Sequence, residues 1–435
     1  MGSNGVGPQR LLSPPTASVA SVLTTVAVSG YRSLREVVVP LHGLDVVTGA
    51  NGAGKSSLYR ALRLLADCGG GQVIGSLARE GGLQSALWAG PETLGGARRE
   101  GYAVQGTVRK GPISLRLGYA SSEGFGYLVD LGLPQTMPSV PTAFDRDPIV
   151  KREVVFSGPV ARPGAVLVER KGPVVRARDG HDWVELTRGL RTHESMLTEL
   201  ADPVRTPELL AVRDELRSWR FYDGFRTDRD APARAPQVGT LTPVLDHDGA
   251  DVAAALQTIH EIGDAEALDR AIADAFDGAR LSVLASAGRF DVGLMQPGML
   301  RRLGGAELSD GTLRYLLLVG ALLTPRPPSL MVLNEPETSL HPDLLAPLAR
   351  LVRQVAATTQ VVVVSHAPGL ITALAPREAG EHDEDDEDAL ASTRTATSSG
   401  GARAAYGVHL AKDLGETRVR GQGLLTTPPW HWGTR

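Results

Sequence analysis

Gly49-Ala50-Asn51-Gly52-Ala53-Gly54-Lys55-Ser56 follows the apolar run Leu44 to Val47 and precedes a stretch with helical periodicity, Ser56 to Ala66. Strand, glycine-rich loop and helix in that order make a P-loop and place the chain among α/β folds. The glycines let the backbone curl so that successive N–H groups converge on phosphate oxygens, and the helix N-terminus adds its partial positive charge. Lys55 is expected to reach the β- and γ-phosphates, and Ser56 to offer its hydroxyl to a magnesium ion. A turn that binds nothing would need neither residue. Gly49, Ala50, Asn51, Gly52, Ala53, Gly54, Lys55, Ser56 and Ser57 are therefore the candidate nucleotide-binding residues, with ATP and Mg2+ as the expected cofactors.

Three further motifs follow. Leu308-Ser309-Asp310-Gly311 opens a helical stretch, Thr312 to Leu323, with Leu313, Leu316, Leu317 and Ala321 apolar and Pro325 as its stop. Ser309 and Gly311 thus lie at a helix N-terminus, a second anion site. Alone they would read as an N-cap, but Ser309 stands 26 residues before Glu335, room for one helix, a Pro-rich turn and one strand. That strand, Ser329 to Leu333, is apolar throughout, as a parallel strand covered on both faces should be. Asn334 and Glu335 follow at its carboxyl end, where open α/β sheets gather their ligand chemistry. Glu335 is the candidate base for the water that attacks the γ-phosphate. Asn334 is the candidate metal-orienting residue, in a position where Asp is usual. Its oxygen can accept from a magnesium-bound water but brings no charge, which predicts reduced metal affinity or turnover. A helix from Asp343 to Ala357, with Pro342 in its first turn and a kink expected at Pro347, leads to the strand Gln360 to Val364. His366 comes next, either structural or, emerging beside Glu335, a contact to the γ-phosphate; its position favours the second.

In this order and spacing the motifs resemble the ATP-binding heads of the ABC and SMC superfamily. The whole chain resembles the RecF-like predicted ATPases, an AAA-type group that includes OLD and AbiEii proteins. The resemblance also rests on Gly30-Tyr31-Arg32-Ser33-Leu34, on Asn334-Glu335-Pro336-Glu337-Thr338-Ser339-Leu340-His341-Pro342 and on Gly421-Gln422-Gly423-Leu424-Leu425, and it covers residues 22–375 and 405–435. It implies a P-loop NTPase of ABC/SMC head type, a mixed sheet with helices plus an inserted α+β lobe, and ATP hydrolysis to ADP and phosphate. It further implies a head-to-head homodimer with two ATP molecules sandwiched between the chains. Lys55, Ser56, Glu335 and His366 of one chain would face Ser309 and Gly311 of the other. The Tyr31-Arg32-Ser33 turn would lie near the nucleotide, and Ser339 to Pro342 would cross to the partner. Such heads bridge the metal and the attacking water with a glutamine: Gln84 is the candidate, Gln72 its rival, and a plain surface glutamine the alternative to both. Asn334 departs from the superfamily's Asp, although Asn-Glu-Pro-Glu resembles a variant of this group.

The organisation expected is a head split by a long insertion: a disordered N-terminus (1–20), the P-loop half (21–100), an inserted lobe of antiparallel strands then helices (101–300), the signature, glutamate and histidine half (301–377), an acidic low-complexity insertion (378–404) and a tail packing on the head (405–435). Short alternating runs between 103 and 175, including Ala103 to Val108 and Ala165 to Glu169, suggest an antiparallel sheet. Residues 194–217 and 250–276 read as helical, without heptads long enough for a coiled-coil arm. No apolar run approaches the ~18 residues of a membrane span. Val19 to Val28 reads as a strand rather than a signal peptide, and the single cysteine, Cys68, excludes an internal disulfide and a cysteine-based zinc site. A cytoplasmic setting follows. The net charge of −4 conceals eight acids between Glu378 and Asp388, outside which the chain is mildly basic.

Two segments raise further chemistry. Trp219-Arg220-Phe221-Tyr222 and Phe225-Arg226, with Arg229 and Arg234, mix aromatics and arginine as a nucleic-acid grip would, or form a packed strand. Asp246-His247-Asp248 has the look of a metal pair but reads better as a turn entering a helix. The leading expectation is an ATP-dependent dimer that closes on double-stranded DNA in repair or genome maintenance. The alternatives are an ATP-gated regulator of a separate nuclease or toxin effector in anti-phage defence, and a nucleotide-binding scaffold with negligible turnover.

Overall fold

The structure is a computed structural model that describes residues 22–91, 113–134, 142–375, 404–423 and 425–433. Its first strands, β1 (Leu23–Tyr31) and β2 (Leu34–Pro40), pair as a hairpin. β3 (Leu44–Gly49) leaves for another sheet and feeds the P-loop and α1 (Lys55–Gly69). Buried Asp45 secures the turn between them by accepting from the backbone N–H groups of His42 and Gly43. After α2 (Val73–Arg79) and α3 (Leu83–Ala86), the chain adds β4 (Leu115–Ser121), β5 (Phe125–Gly132), β6 (Ile149–Ser157), β7 (Val166–Lys171), β8 (Val174–Asp179) and β9 (Asp182–Thr187).

These six strands do not form a lobe of their own. They extend the first hairpin from its β1 edge into one antiparallel sheet, ordered β2-β1-β4-β5-β6-β7-β8-β9. An expected insertion at 101–300 is thus, in its first half, the continuation of a sheet begun by residues 23–40. The physical reason is that β1, paired with β2 on one side, leaves an open edge, while Leu115, Leu117, Tyr119, Tyr127 and Val129 need the same core. Ala103 to Val108 lies outside the described residues, as do 1–20 and nearly all of 378–404.

The helices expected over 194–217 and 250–276 each form as two pieces: α4 (Met196–Glu199) with α5 (Pro207–Ser218), and α6 (Val252–Ile262) with α7 (Ala265–Ala275). Between the pairs lie β10 (Arg220–Tyr222) and β11 (Gln237–Val238), and after them β12 (Arg280–Ser286), β13 (Arg289–Met295) and β14 (Leu303–Gly304). β11 to β14 make a small antiparallel sheet just ahead of the signature helix, α8 (Asp310–Leu322). The chain closes with β15 (Leu330–Asn334), α9 (Leu345–Val355), β16 (Gln360–Val364), α10 (Pro368–Leu374), β17 (Tyr406–Asp413) and β18 (Glu416–Val419).

The central sheet runs β10-β15-β16-β3-β17-β18, parallel from β10 to β17 with β18 turned back. Its side chains alternate between two cores, as a period of two requires. Leu330, Val332, Val362 and Val364 join α1 and the antiparallel sheet. Met331, Leu333, Val361 and Val363 join α6 to α10. Covering on both faces explains why β15 and β16 read as unbroken apolar runs. Gln360 locks the sheets together by accepting from Leu23 N (2.7 Å) and donating to Leu23 O (2.8 Å). Pro347 produces no break, because α9 begins at Leu345 and the proline falls in its first turn, where N–H groups have no partner within the helix. The tail does more than pack on the head, since β17 pairs directly with β3. The α/β class with a mixed sheet stands.

Deep in the antiparallel sheet, the fully buried Arg170 guanidinium donates to Glu153 Oε2 at 2.8 Å. Glu153 also accepts from Tyr127 Oη, Ser195 Oγ and Met196 N, so its charge is fully engaged. Arg170→Met should cost about 3–5 kcal/mol, because it strands a buried carboxylate without its counter-charge. Urea denaturation reads this directly, and a midpoint equal to wild type would refute it.

Candidate active site

β3, β15 and β16 run parallel and end together, so the P-loop, Asn334-Glu335 and Ser365-His366 leave the same edge of the sheet. Glu335 N donates to Val364 O (2.8 Å) and Ser365 N to Val47 O (3.1 Å), joining the three exits. The P-loop is shaped by close approach as well as by sequence. Gly54 has φ 107°, and a Cβ there would lie 2.1 Å from Thr417 Oγ1. Gly49 has φ 149°, and its Cβ would lie 2.4 Å from Leu410 O. The Thr417 hydroxyl donates to Ala53 O (2.8 Å) and lies 2.8 Å from the Ser33 hydroxyl, while Thr417 N donates to Ser33 O (2.8 Å). Lys55, the first residue of α1, points back along the loop and donates to Gly49 O at 2.6 Å and Ala50 O at 3.3 Å. The first turn of α1 contains no acidic residue, so nothing in it competes with an anion for those N–H groups.

Glu335 adopts φ 48°, a left-handed conformation for a residue with a side chain. Such a conformation costs of order 1–3 kcal/mol and persists where surrounding bonds over-determine it. Here Val364 O receives its N–H, and Arg314 Nη2 donates to its carbonyl at 3.4 Å. Arg314 is a buried cation on α8 that also donates to Phe225 O. Burial pulls its guanidinium below the usual arginine range, and Glu337 and Asp223 act in the opposite direction. His366 Nδ1 stands 3.5 Å from Glu335 Oε1 and 3.8 Å from Glu337 Oε1. Asn334 Oδ1 is buried and meets no hydrogen-bond donor among the described residues. That orphaned oxygen and the exposed Ser56 hydroxyl fit the outer and inner contacts of a magnesium ion carried by a nucleotide. No group of three or more His, Cys, Asp or Glu residues able to hold a metal by itself occurs among the described residues.

Residues 178–372, somewhat less than half of the chain, match the family model described as "AAA domain, putative AbiEii toxin, Type IV TA system". The chain carries an AbiEii-type AAA ATPase domain. The matched part of this domain contains the signature, the glutamate and the histidine, and the P-loop precedes it. No curated protein matches the chain. Solved structures of SMC heads are similar in outline. The SMC head bound to the C-winged helix domain of ScpA is 12% identical, with a TM-score of 0.45 over 93% of this chain and 98% of that one. The SMC head domain from Thermotoga maritima gives 14% and 0.40 over 93% and 100%. The Pyrococcus furiosus head with an extended coiled coil, bound to the C-terminal domain of ScpA, gives 11% and 0.44 over 92% and 95%.

Within the ATPase domain, Ser309 caps α8, its Oγ accepting from Thr312 N (3.1 Å). A Cβ on Gly311 would come within 2.9 Å of Ser339 O, so signature and Ser339 loop touch within one chain. The Tyr31 side chain is packed inside the protein. It is fully buried, and its hydroxyl donates to Glu80 Oε2 (2.7 Å); burial, and then that bond, push its ionisation well above the usual tyrosine range. Arg32 is likewise held on Glu80 at 2.7 Å. Their turn reaches the P-loop through Ser33 and Thr417. Gln84 lies exposed on α3, whose Ala86 O accepts from Arg32 N (2.7 Å), whereas Gln72 lines a separate cleft with Arg63, Arg220 and His247. Asp246-His247-Asp248 is a turn: His247 N donates to Asp246 Oδ1 and Ala250 N to Asp248 Oδ1.

The aromatics of the suspected nucleic-acid grip are core. Trp219, Phe221, Tyr222 and Phe225 are all buried, because β10 is a strand of the central sheet. Arg234 braces the signature loop, donating to Leu308 O (2.6 Å) and Asp310 Oδ1 (2.5 Å). Three residues of the site were given no role in the sequence reading: Thr417, Arg314 and Glu337. Arg314 had a signal as a charge in an otherwise apolar helix, and Glu337 as a second acid in Asn-Glu-Pro-Glu; Thr417 had none. Thr417→Val removes the donor to Ala53 O and should cost about 1–3 kcal/mol. It should also weaken nucleotide binding, as read by a fluorescent-nucleotide titration; unchanged stability and affinity would show that the hairpin does not support the loop.

Proposed function

We propose that the protein hydrolyses ATP at a site shared between two copies of the chain meeting head to head. The observation that carries this is the convergence of Lys55, Glu335 and His366 on one edge of the parallel sheet, with Ser309 opening α8 at that edge but on the opposite face from α1. Ser309 and Asp310 are exposed at the start of α8, which leaves this helix N-terminus accessible to a partner's nucleotide. Gly49 to Ser57 cradles the phosphates, and Lys55 neutralises charge that develops during transfer. Glu335 takes the proton of the attacking water, and His366 contacts the γ-phosphate side of the site. Bound with the nucleotide, magnesium supplies further neutralisation of phosphate charge, with Ser56 and Asn334 as the residues that would hold it and its waters.

For the partner, the DNA clamp remains one reading, without support from the buried aromatics. The second reading, an ATP-gated component of a toxin-type system, is favoured by the AbiEii description of the family and by that same burial. The decisive experiment follows ATP hydrolysis and mass in solution for wild type, Lys55→Ala and Glu335→Gln, with and without double-stranded DNA. Lys55→Ala should lose nucleotide binding. Glu335→Gln should bind ATP, form a stable dimer and turn over about 10²-fold or more slowly. DNA-stimulated turnover supports the clamp; an ATP-dependent dimer indifferent to DNA supports a protein effector. Wild type that binds ATP without measurable turnover would leave only the scaffold reading.

A further inference from the structure

Glu337 follows Glu335 by two residues, yet the chain turns it in the opposite sense. Glu335 is partly exposed at the sheet edge, whereas the Glu337 side chain is only 7% exposed. Its Oε1 accepts from Ser365 Oγ at 2.6 Å and from His366 N at 3.3 Å. Ser365, itself fully buried, accepts in turn from Ala367 N at 3.1 Å. A serine hydroxyl has one proton, so the relay has one direction: Ala367 N–H to Ser365, and Ser365 O–H to Glu337. The segment 365–367 is thereby fastened to the loop that carries Glu335. Glu337 Oε2 remains buried with no hydrogen-bond donor among the described residues. Its charge favours the charged form of Arg314 on α8, and the His366 ring lies 3.8 Å from Oε1.

Holding a strand end in place needs no carboxylate. A buried charge with one free oxygen costs more than an amide of the same shape would, so the charge calls for a separate reason. Two observations supply it. The imidazole Nδ1 lies near two carboxylates, at 3.5 Å from Glu335 and 3.8 Å from Glu337, longer than a well-formed hydrogen bond to either. The neighbouring position that would bring a third acid is the neutral Asn334. We propose that Glu337 is a positioning residue for hydrolysis, a buried carboxylate that holds His366 with Nδ1 turned toward the two acids and Nε2 turned toward the nucleotide. Its negative charge stands in for the one that residue 334 lacks. The inference rests on the ATPase reading above and adds to it a residue that acts through His366.

Glu337→Gln tests this, because the amide oxygen still accepts from Ser365 and His366 N while the charge is gone. Turnover should fall about tenfold or more with the KM for ATP little changed, the pattern of a group that acts only in the transition state. In a His366→Ala background the same substitution should change kcat less than about twofold, since residues that act as a unit are not additive. Unchanged kcat in Glu337→Gln overturns the proposal, as does a loss that multiplies fully with that of His366→Ala. If Glu337→Gln does not fold, Glu337→Asp draws the carboxylate back from His366 Nδ1 on a shorter side chain and should lower kcat at constant KM; wild-type kcat there would also overturn it. Failure of the underlying reading looks different: wild type itself would not hydrolyse ATP, and both conclusions would fall together.

Discussion

Thr417 occupies the space that any side chain at position 54 would need, and the P-loop depends on that contact. The backbone of Gly54 is left-handed, and the threonine hydroxyl bonds the carbonyl of the residue before it. Residues near the chain's end therefore mould a loop near its beginning. β17 reinforces the arrangement, because its Leu410 carbonyl lies where a Cβ on Gly49 would go. The glycines of this loop serve two masters: they expose N–H groups to an anion, and they admit the C-terminal hairpin from behind.

The same logic of distant support governs the glutamate. Glu335 holds a backbone conformation that few residues with a side chain adopt, and the bonds that keep it there come from β16 and from α8. Arg314 reaches it from the signature helix, so a shift of α8 would be felt at the Glu335 carbonyl. This gives the proposed dimer a physical route by which contact at Ser309 bears on chemistry at Glu335: helix, buried guanidinium, carbonyl. It is a route of packed groups, and its energetic coupling is for mutagenesis to establish.

Much of the site was legible because its parts are local. A P-loop needs consecutive residues, and β15 and β16 are apolar because the sheet is covered on both faces. The strand Gln360 to Val364 and the start of α1 could be read to within a residue. What was not legible is long-range pairing. Nothing in Leu115 to Thr187 says that these strands continue the sheet of residues 23–40 rather than close on themselves, since alternation reports a buried face and not which edge a strand joins. The Trp219 to Phe225 segment read either as a nucleic-acid grip or as a packed strand, because aromatic and arginine side chains are common in both roles. Burial of its aromatics, with β10 lying inside the central sheet, favours the strand. Pro347 looked like a kink because the start of α9 was placed a few residues too early.

The central claim is that one chain's P-loop works with another chain's signature. Mixing two variants, Lys55→Ala and Ser309→Arg, tests it most directly. In a mixed dimer one site carries both lesions and the other carries none. The account predicts that each variant alone is inactive and that the mixture recovers a substantial share of wild-type hydrolysis, greatest at equal proportions. A mixture as inactive as its components, under conditions where mixed dimers are shown to form, would contradict it.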